Sequence, residues 1–176
     1  DRVLVAVGAQ GNIDGIGLED VGVETEHSFI VINERMETNA AGVYAIGDVT
    51  GKLLLAHVAS AQGVTAVESI AGQDPPPLDY DYMPRAIYCK PQIGSLGLTE
   101  NQARERGLNV KTGKFPAIAS GKALAQGETE GMIKLVVDAE IGDLVGAHMI
   151  GTEVTEMLGE LGLARLLEST TNELGW

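Results

Sequence analysis

The first 72 residues alternate short apolar runs with glycine-rich loops. Continuous apolar runs at 3–7, 29–32 and 42–48 have the length and composition expected of strands buried on both faces. Small and apolar residues then recur every three or four positions from Ala56 to Ala71, which predicts a helix that Gly72 ends. The predicted core-facing positions of that helix are Ala59, Gly63, Val67 and Ile70. Strands followed by a helix indicate an α/β segment.

A proline-rich stretch separates this segment from the rest of the chain. Residues 73–82 contain three consecutive prolines, Pro75 to Pro77, between acidic residues and tyrosines. Neither a helix nor a central strand accommodates such a run, because proline lacks the amide hydrogen and has a fixed φ. We therefore predict a first domain at 1–72, a linker at 73–82 and a second domain at 83–176.

Beyond the linker, the pattern is that of strands grouped together. Strand-like runs lie at 109–115, 132–138 and 144–150, and a glycine-containing turn at 139–143 joins the last two. This arrangement predicts an antiparallel sheet.

Two helices are predicted beside that sheet. Thr99 and Gln102 have the spacing of a capping box, and Gly107 ends the short helix that begins there. A longer helix is predicted from Glu153 to Glu168. Its apolar face would consist of Val154, Met157, Leu158, Leu161 and Leu167. A sheet with two helices makes the second domain an α+β structure.

The charge of the chain excludes several kinds of partner. A formal net charge of -13 over 176 residues repels the phosphates of nucleic acids and anionic membrane surfaces. The sequence contains no apolar run near the roughly 20 residues that a membrane-spanning helix needs. We therefore expect no nucleic-acid partner, no membrane partner and a cytoplasmic location.

Cysteine and histidine usage limits the chemistry further. Cys89 is the single cysteine, so the chain contains neither an intrachain disulfide nor a two-cysteine redox centre. The pattern around Cys89 favours a small buried strand residue over a reactive thiol. His27, His57 and His148 are far apart in sequence, without the spacing of metal ligands, and we predict no metal site.

The most informative stretch for chemistry is the apolar run that ends in Gly47 and Asp48. A buried strand ending there would present a carboxylate at the sheet edge where open α/β folds bind ligands. The helix beginning at Ala56 would direct its first amide groups and positive dipole end toward the same edge. The simpler alternative is that Asp48 begins a turn and the helix packs on a sheet. Periodicity alone favours this alternative.

The string from Gly47-Asp48 through Leu54-Leu55-Ala56-His57 resembles the second flavin-binding segment of the pyridine nucleotide-disulfide oxidoreductases, as do residues 1–8 and Ala71-Gly72. The resemblance implies that the matching Asp contacts the ribityl or phosphate linkage of FAD. It also implies that the Leu-Leu-Ala-His segment lies along the flavin ring. The implied FAD contacts are Asp48, Leu54, Leu55, Ala56 and His57. In this role His57 is a contact at the start of a helix rather than a general base.

The second half of the chain resembles the interface domain of one branch of this family, the dihydrolipoamide dehydrogenases. Successive similar blocks occur in the same order at 86–91, 94–100, 121–125 and 146–151. The resemblance implies an enzyme that oxidises dihydrolipoamide with FAD as cofactor and NAD as acceptor. It also implies a homodimer, which serves the dihydrolipoyl substrate of a 2-oxo acid dehydrogenase complex.

Several positions depart from the family pattern. Ala9 and Gln10 follow Gly8 where the family has Arg, and Gly8 is expected to face the NAD cofactor less securely for that reason. Gln92 stands in place of a usual Glu, and Cys89 in place of a usual Thr.

The chain lacks the residues that perform the redox chemistry of this family. It contains no GxGxxG fingerprint, no closely spaced cysteine pair and no His-Pro-Thr segment, so we assign no catalytic residue in it. It also begins without Met, and its last residues, Gly175 and Trp176, depart from the family pattern. We therefore expect an incomplete piece of the enzyme that does not turn over alone.

Two other functions remain open from the sequence. A mercuric or glutathione reductase-like relative differs chiefly in residues outside this chain. A non-catalytic module would associate with itself through residues from about Asp81 onward.

Overall fold

A computed structural model describes residues 1–175, and it divides them into two compact units. The first unit is Asp1–Tyr80, and the second begins at Asp81. The C-terminal limit predicted for the second domain, Trp176, lies outside the described residues. The α+β class predicted for the second half is confirmed by a five-stranded antiparallel sheet with helices.

The first unit contains short elements around one longer helix. Its α-helices and strands are α1 (Leu18–Val21), β1 (Thr25–Glu26), β2 (Phe29–Ile30) and α2 (Ala56–Ile70). A 3-10 turn at Gly47–Thr50 precedes α2. β1 and β2 form an antiparallel pair, and a small core gathers around Val23, Ile30 and Ala45.

Two predicted strands of the first unit are wrong. Residues 3–7 adopt no regular structure and are exposed, with Val7 94% accessible. Residues 42–46 form only an isolated bridge, between Tyr44 and Glu37. An apolar run becomes a strand only when neighbouring backbone supplies ladder hydrogen bonds, and no described segment pairs with 3–7. The predicted strand at 29–32 is confirmed in part, as the two residues of β2.

The predicted helix at 56–71 is confirmed as α2, but it is rotated about its axis relative to the prediction. Its buried residues are Val58, Gln62, Thr65 and Ala66, whereas Val67 and Ile70 are more than 60% exposed. Ala, Val and Gly occur on all sides of this helix, so the hydrophobic pattern alone does not select one face.

The second unit is a five-stranded antiparallel sheet within residues 81–175. Its strands are β3 (Arg85–Ile87), β4 (Gln92–Gly97), β5 (Val110–Pro116), β6 (Met132–Asp138) and β7 (Leu144–Gly151). They lie in the order β3-β4-β7-β6-β5. The three predicted strands and their antiparallel pairing are therefore confirmed, each within one residue at its ends. The prediction that Cys89 is buried in a strand is wrong, because this residue lies exposed in the turn between β3 and β4.

Helices cover both faces of this sheet. They are α3 (Glu100–Glu105), α4 (Gly121–Gln126), α5 (Leu158–Leu166) and α6 (Thr171–Leu174), with 3-10 turns at Tyr80–Tyr82, Ala117–Ala119 and Val154–Met157. On one face Leu158 and Leu161 of α5 pack against Leu96 and Met149, and on the other Ala103 of α3 packs against Val136.

The final helix is shorter than predicted. The first turn of the predicted 153–168 helix is a 3-10 turn, and α5 ends at Leu166. Leu167 is 65% exposed because the helix has ended before the chain could turn this side chain onto the sheet.

The capping box at the start of α3 is confirmed. The Gln102 amide nitrogen donates to Thr99 Oγ1 at 3.3 Å, and the Thr99 amide donates to Gln102 Oε1 at 2.9 Å. Glu100 then joins the helix to the sheet, because Lys134 Nζ of β6 lies 2.7 Å from its carboxylate. Arg104 Nη2 contacts the same carboxylate at 2.7 Å.

No helix among the described residues has the length and apolar composition needed to cross a membrane.

Two glycines of the same sheet give a matched test of packing. A Cβ on Gly146 of β7 would collide with the backbone carbonyl of Leu98, whereas a Cβ on Gly113 of β5 would meet no atom within 4 Å. We predict that Gly146→Ala lowers the free energy of unfolding by about 2–3 kcal/mol, because backbone must move. Gly113→Ala should change it by less than about 1 kcal/mol. Urea denaturation followed by circular dichroism measures both, and equal effects would contradict the close approach.

The Glu100 ion pair predicts an acid-dependent loss of stability. The hydrogen bond from Lys134 holds the pKa of Glu100 below its ordinary value of 4.5. A carboxyl group whose pKa is lower in the folded state than in the unfolded state stabilises the fold at pH values above its unfolded-state pKa. This stabilisation is lost as the pH falls through the folded-state pKa. Glu100→Gln should therefore flatten the decline in unfolding free energy below about pH 4.5. Glu105→Gln, an exposed acid on the same helix, should leave that decline unchanged in acid titrations of unfolding.

Candidate functional site

Asp48 lies in the 3-10 turn Gly47–Thr50 rather than at the end of a strand. Two glycines bound the bend: Gly47 has a φ of 78° and Gly51 a φ of 64°, both in the left-handed region that favours glycine. The turn buries Gly47 and Thr50 and leaves Asp48 exposed. The structure therefore presents this carboxylate to solvent on a tight, glycine-bounded turn.

The turn packs directly against helix α2. A Cβ built on Gly47 would lie 3.4 Å from the Cβ of Ala59, an ordinary contact distance, so the turn and the helix are neighbours here. Ala59 belongs to the first turn of α2, and its amide donates to the carbonyl of Leu55 at 3.1 Å. Asp48 is thus adjacent in the chain to the residue that touches the start of the helix.

The start of α2 brings together the other four predicted flavin contacts. Leu55 is the N-cap residue, and its apolar side chain cannot accept a hydrogen bond from the first amides of the helix. Ala56 and His57, the first two helical residues, are exposed, and Leu54 is 42% exposed. The first turn of α2 contains no acidic side chain, so the positive end of the helix dipole is not neutralised there.

Gly8 is not drawn into this group. It lies in the irregular, exposed segment at 1–10, and a Cβ built on it would meet no atom within 4 Å among the described residues. Its predicted contact with NAD therefore stays a prediction.

A buried polar network underlies the turn. The side chain of Gln62 has no exposed surface, and its Oε1 accepts a hydrogen bond from the Gly47 amide at 2.6 Å. Its Nε2 donates to the hydroxyl of Tyr80 at 3.0 Å and to Thr50 Oγ1 at 3.4 Å. Thr50 Oγ1 in turn donates to the Gly47 carbonyl at 2.8 Å. Both backbone polar groups of Gly47 are thereby held by side chains.

Gln62 and Thr50 are the residues that sequence reasoning missed. A weak signal was present, because Gln62 occurs four residues after Val58 and four before Ala66, on one stripe of the helix. A glutamine on an otherwise apolar stripe requires a buried hydrogen-bonding partner. The sequence did not show which partner, since Gly47 lies 15 residues away.

Within residues 1–175, no group of three or more His, Cys, Asp or Glu side chains is arranged to hold a metal ion.

Two family models match nearly the whole chain. Residues 83–175 match the pyridine nucleotide-disulphide oxidoreductase dimerisation domain, and residues 1–63 match the pyridine nucleotide-disulphide oxidoreductase domain. The chain belongs to the pyridine nucleotide-disulphide oxidoreductase family.

Curated relatives agree with this assignment. The chain is 50% identical over 175 residues to a dihydrolipoyl dehydrogenase of Bacillus subtilis. This match covers 99% of this chain and 37% of that protein. It is 52% identical to the dihydrolipoyl dehydrogenase of Mycobacterium leprae, over 99% of this chain and 38% of that protein. The chain therefore spans little more than a third of the length of these relatives.

Solved structures share the fold. The structure of LpdA from Mycobacterium tuberculosis superposes with a TM-score of 0.84 at 26% identity. The match covers 95% of this chain and 37% of the LpdA chain. The HOCl-induced flavoprotein disulfide reductase RclA from Escherichia coli matches 96% of this chain and 39% of its own, also with a TM-score of 0.84. At 24% identity, the second likeness concerns the fold alone.

The hydrogen bonds of Gly47, Thr50 and Gln62 predict that removing the Thr50 hydroxyl destabilises the turn. Thr50→Val keeps the shape of the side chain but leaves the Gly47 carbonyl and the Gln62 amide each without one partner. We expect the opening free energy of the Gly47 amide, measured by hydrogen exchange, to fall by about 1–2 kcal/mol. Thr25→Val, at an exposed position on β1, is the matched control and should have little effect. Similar exchange rates in both variants would show that the Thr50 hydroxyl contributes nothing.

Proposed function

We propose that this chain is part of a dihydrolipoamide dehydrogenase, an enzyme that oxidises dihydrolipoamide with FAD as cofactor and NAD as acceptor. The observation that carries the proposal is about 50% identity to dihydrolipoyl dehydrogenases over almost the whole chain. Mercuric and glutathione reductase-like functions are less well supported, because the relatives at this identity carry the dihydrolipoyl name.

The residues around Asp48 fit a flavin. An exposed carboxylate on a glycine turn can accept hydrogen bonds from the hydroxyls of a ribityl chain. The uncapped start of α2 offers amide hydrogens and a positive dipole end to a negatively charged group. Leu54, exposed just before the helix, provides an apolar surface for a ring.

In this proposal the chain's own residues bind and orient the cofactor. Asp48 holds the ribityl or phosphate linkage of FAD, and residues 54–57 line the ring. The first amides of α2 stabilise negative charge at the pyrimidine edge of the ring, and His57 serves as a contact there. When bound, FAD supplies the transfer of electrons between a dithiol and NAD. Gly8 is proposed as a backbone contact to NAD.

The second unit is proposed to form the homodimer. It matches a dimerisation domain, and α5 and the residue after it expose Leu163, Leu166 and Leu167 by 56%, 78% and 65%. Such apolar surface is stabilised when a partner covers it. In the intact enzyme the dimer would serve the dihydrolipoyl substrate of a 2-oxo acid dehydrogenase complex.

The remaining assignments complete the proposal. We assign residues 1–72 to the flavin-binding region, 73–82 to a linker and 83–176 to the interface domain. The redox cysteine pair and the catalytic His-Glu pair are proposed to lie outside these residues. The chain alone would therefore not catalyse the oxidation of dihydrolipoamide. A cytoplasmic location is proposed for the intact enzyme.

FAD binding by the chain tests the site. Titrating the chain with FAD and following the flavin fluorescence should give saturable binding. Asp48→Asn should weaken it at least about tenfold, because a charged acceptor is replaced by a neutral one. Asp14→Asn, an exposed acid of the same unit, should leave it unchanged. Equal affinity in the two variants would remove Asp48 from the site, and no binding by the unaltered chain would show that these contacts are insufficient alone.

A further inference from the structure

Gln62 is the most deeply buried polar side chain of the first unit. Its accessible surface is 0%, yet it is an amide with one strong acceptor and two donor hydrogens. An amide is buried at this depth only when its hydrogen bonds are satisfied, because an unpaired one costs about 1–3 kcal/mol. Its partners in the structure are the Gly47 amide, Thr50 Oγ1 and the Tyr80 hydroxyl.

These partners come from two separate stretches of the chain, and Gln62 itself belongs to a third. Gly47 and Thr50 are the two ends of the turn that carries Asp48, and Tyr80 lies 18 residues beyond Gln62. Gln62 itself lies on α2, six residues after Ala56, the first residue of the helix. One side chain therefore connects the turn, the helix and the end of the unit.

We propose that Gln62 is a positioning residue for the flavin site, which holds the Asp48 turn in a fixed place relative to the start of α2. This inference rests on the proposed function, because the site it positions is the proposed flavin site. Gln62 acts through Gly47 rather than through a contact with the cofactor. Its amide fixes the Gly47 N–H, Thr50 fixes the Gly47 carbonyl, and Asp48 is the next residue along the chain.

The requirement is for an amide rather than for any polar group. The oxygen of Gln62 must accept from Gly47, while its nitrogen donates to two hydroxyl oxygens. A leucine of similar size provides neither. A glutamate keeps the acceptor for the Gly47 amide. When ionised, however, it loses the donor and places a negative charge beside Gly47, the residue that precedes Asp48. Burial disfavours that charge, so the carboxyl pKa of such a variant should be raised.

The first measurement tests the hydrogen bond without a cofactor. Hydrogen exchange of the Gly47 amide, read by NMR in the 176-residue chain, should accelerate at least about tenfold in Gln62→Leu. Gln62→Glu should retain most of the protection, because its carboxyl oxygen still accepts from Gly47. Gln73→Leu makes the same chemical change at an exposed position and should leave the Gly47 rate unchanged. An unchanged Gly47 rate in Gln62→Leu overturns the proposal.

Helix amides distinguish local release from unfolding. If Gln62→Leu opens only the turn, Gly47 loses protection while the central amides of α2 keep theirs, as the proposal expects. If all of α2 loses protection together, Gln62 stabilises the unit as a whole and the positioning role is rejected.

The second measurement tests the consequence for the flavin. FAD affinity should fall at least about tenfold in Gln62→Leu and remain unchanged in Gln73→Leu. In Gln62→Glu the affinity should be near that of the unaltered chain at low pH, where the side chain is protonated, and should weaken as the pH rises. A pH-independent affinity in Gln62→Glu, equal to that of Gln62→Leu, contradicts positioning. If the unaltered chain binds no FAD, its contacts are insufficient alone, and the Gly47 exchange rates still decide whether Gln62 holds the turn.

Discussion

The geometry of the first unit depends on one buried amide. The side chain of Gln62 holds the Gly47 amide at 2.6 Å and joins it to Thr50 and Tyr80. In a low-dielectric interior such bonds are strong when made and costly when broken, so the turn has one favoured position on the helix. Apolar packing acts on the same turn, because Val49 packs against the small core of the unit and the Phe29 ring lies beside Gly51.

The second unit is organised by a different constraint, the close approach of backbones at two glycines. Gly97 of β4 and Gly146 of β7 are register partners, and the Leu98 amide donates to the Val145 carbonyl at 3.0 Å beside them. A side chain at either glycine would meet backbone atoms of the neighbouring strand. Helices α3 and α5 pack on opposite faces of the same sheet, over separate clusters of buried residues.

The two units suit different parts of one proposed function. The first combines an exposed carboxylate, an uncapped helix start and a rigid polar support, which together suit a bound flavin. The second matches a dimerisation domain and exposes leucines on and just after α5. Family membership follows from sequence likeness, whereas the role of Gln62 becomes visible only from the hydrogen bonds of the structure.

Features that depend on neighbours a few residues apart could be predicted from the amino-acid sequence. The capping box at Thr99, the approximate limits of α2 and the strands at 132–138 and 144–150 were predictable, because helix caps and periodic patterns are local. The likeness of ordered blocks also predicted the family, and the resemblance gave the residues around Asp48 as a flavin-site prediction.

Features that depend on partners distant in sequence became visible only in the folded chain. The apolar run at 3–7 is exposed, Cys89 lies in a turn, and α2 buries the stripe of Val58 and Gln62 instead of that of Val67 and Ile70. Each outcome depends on which backbone or side chain lies opposite, and the partners of Gln62 are 12 to 18 residues away. A hydrophobic pattern records that a residue can be buried, whereas the packed chain decides what it is buried against.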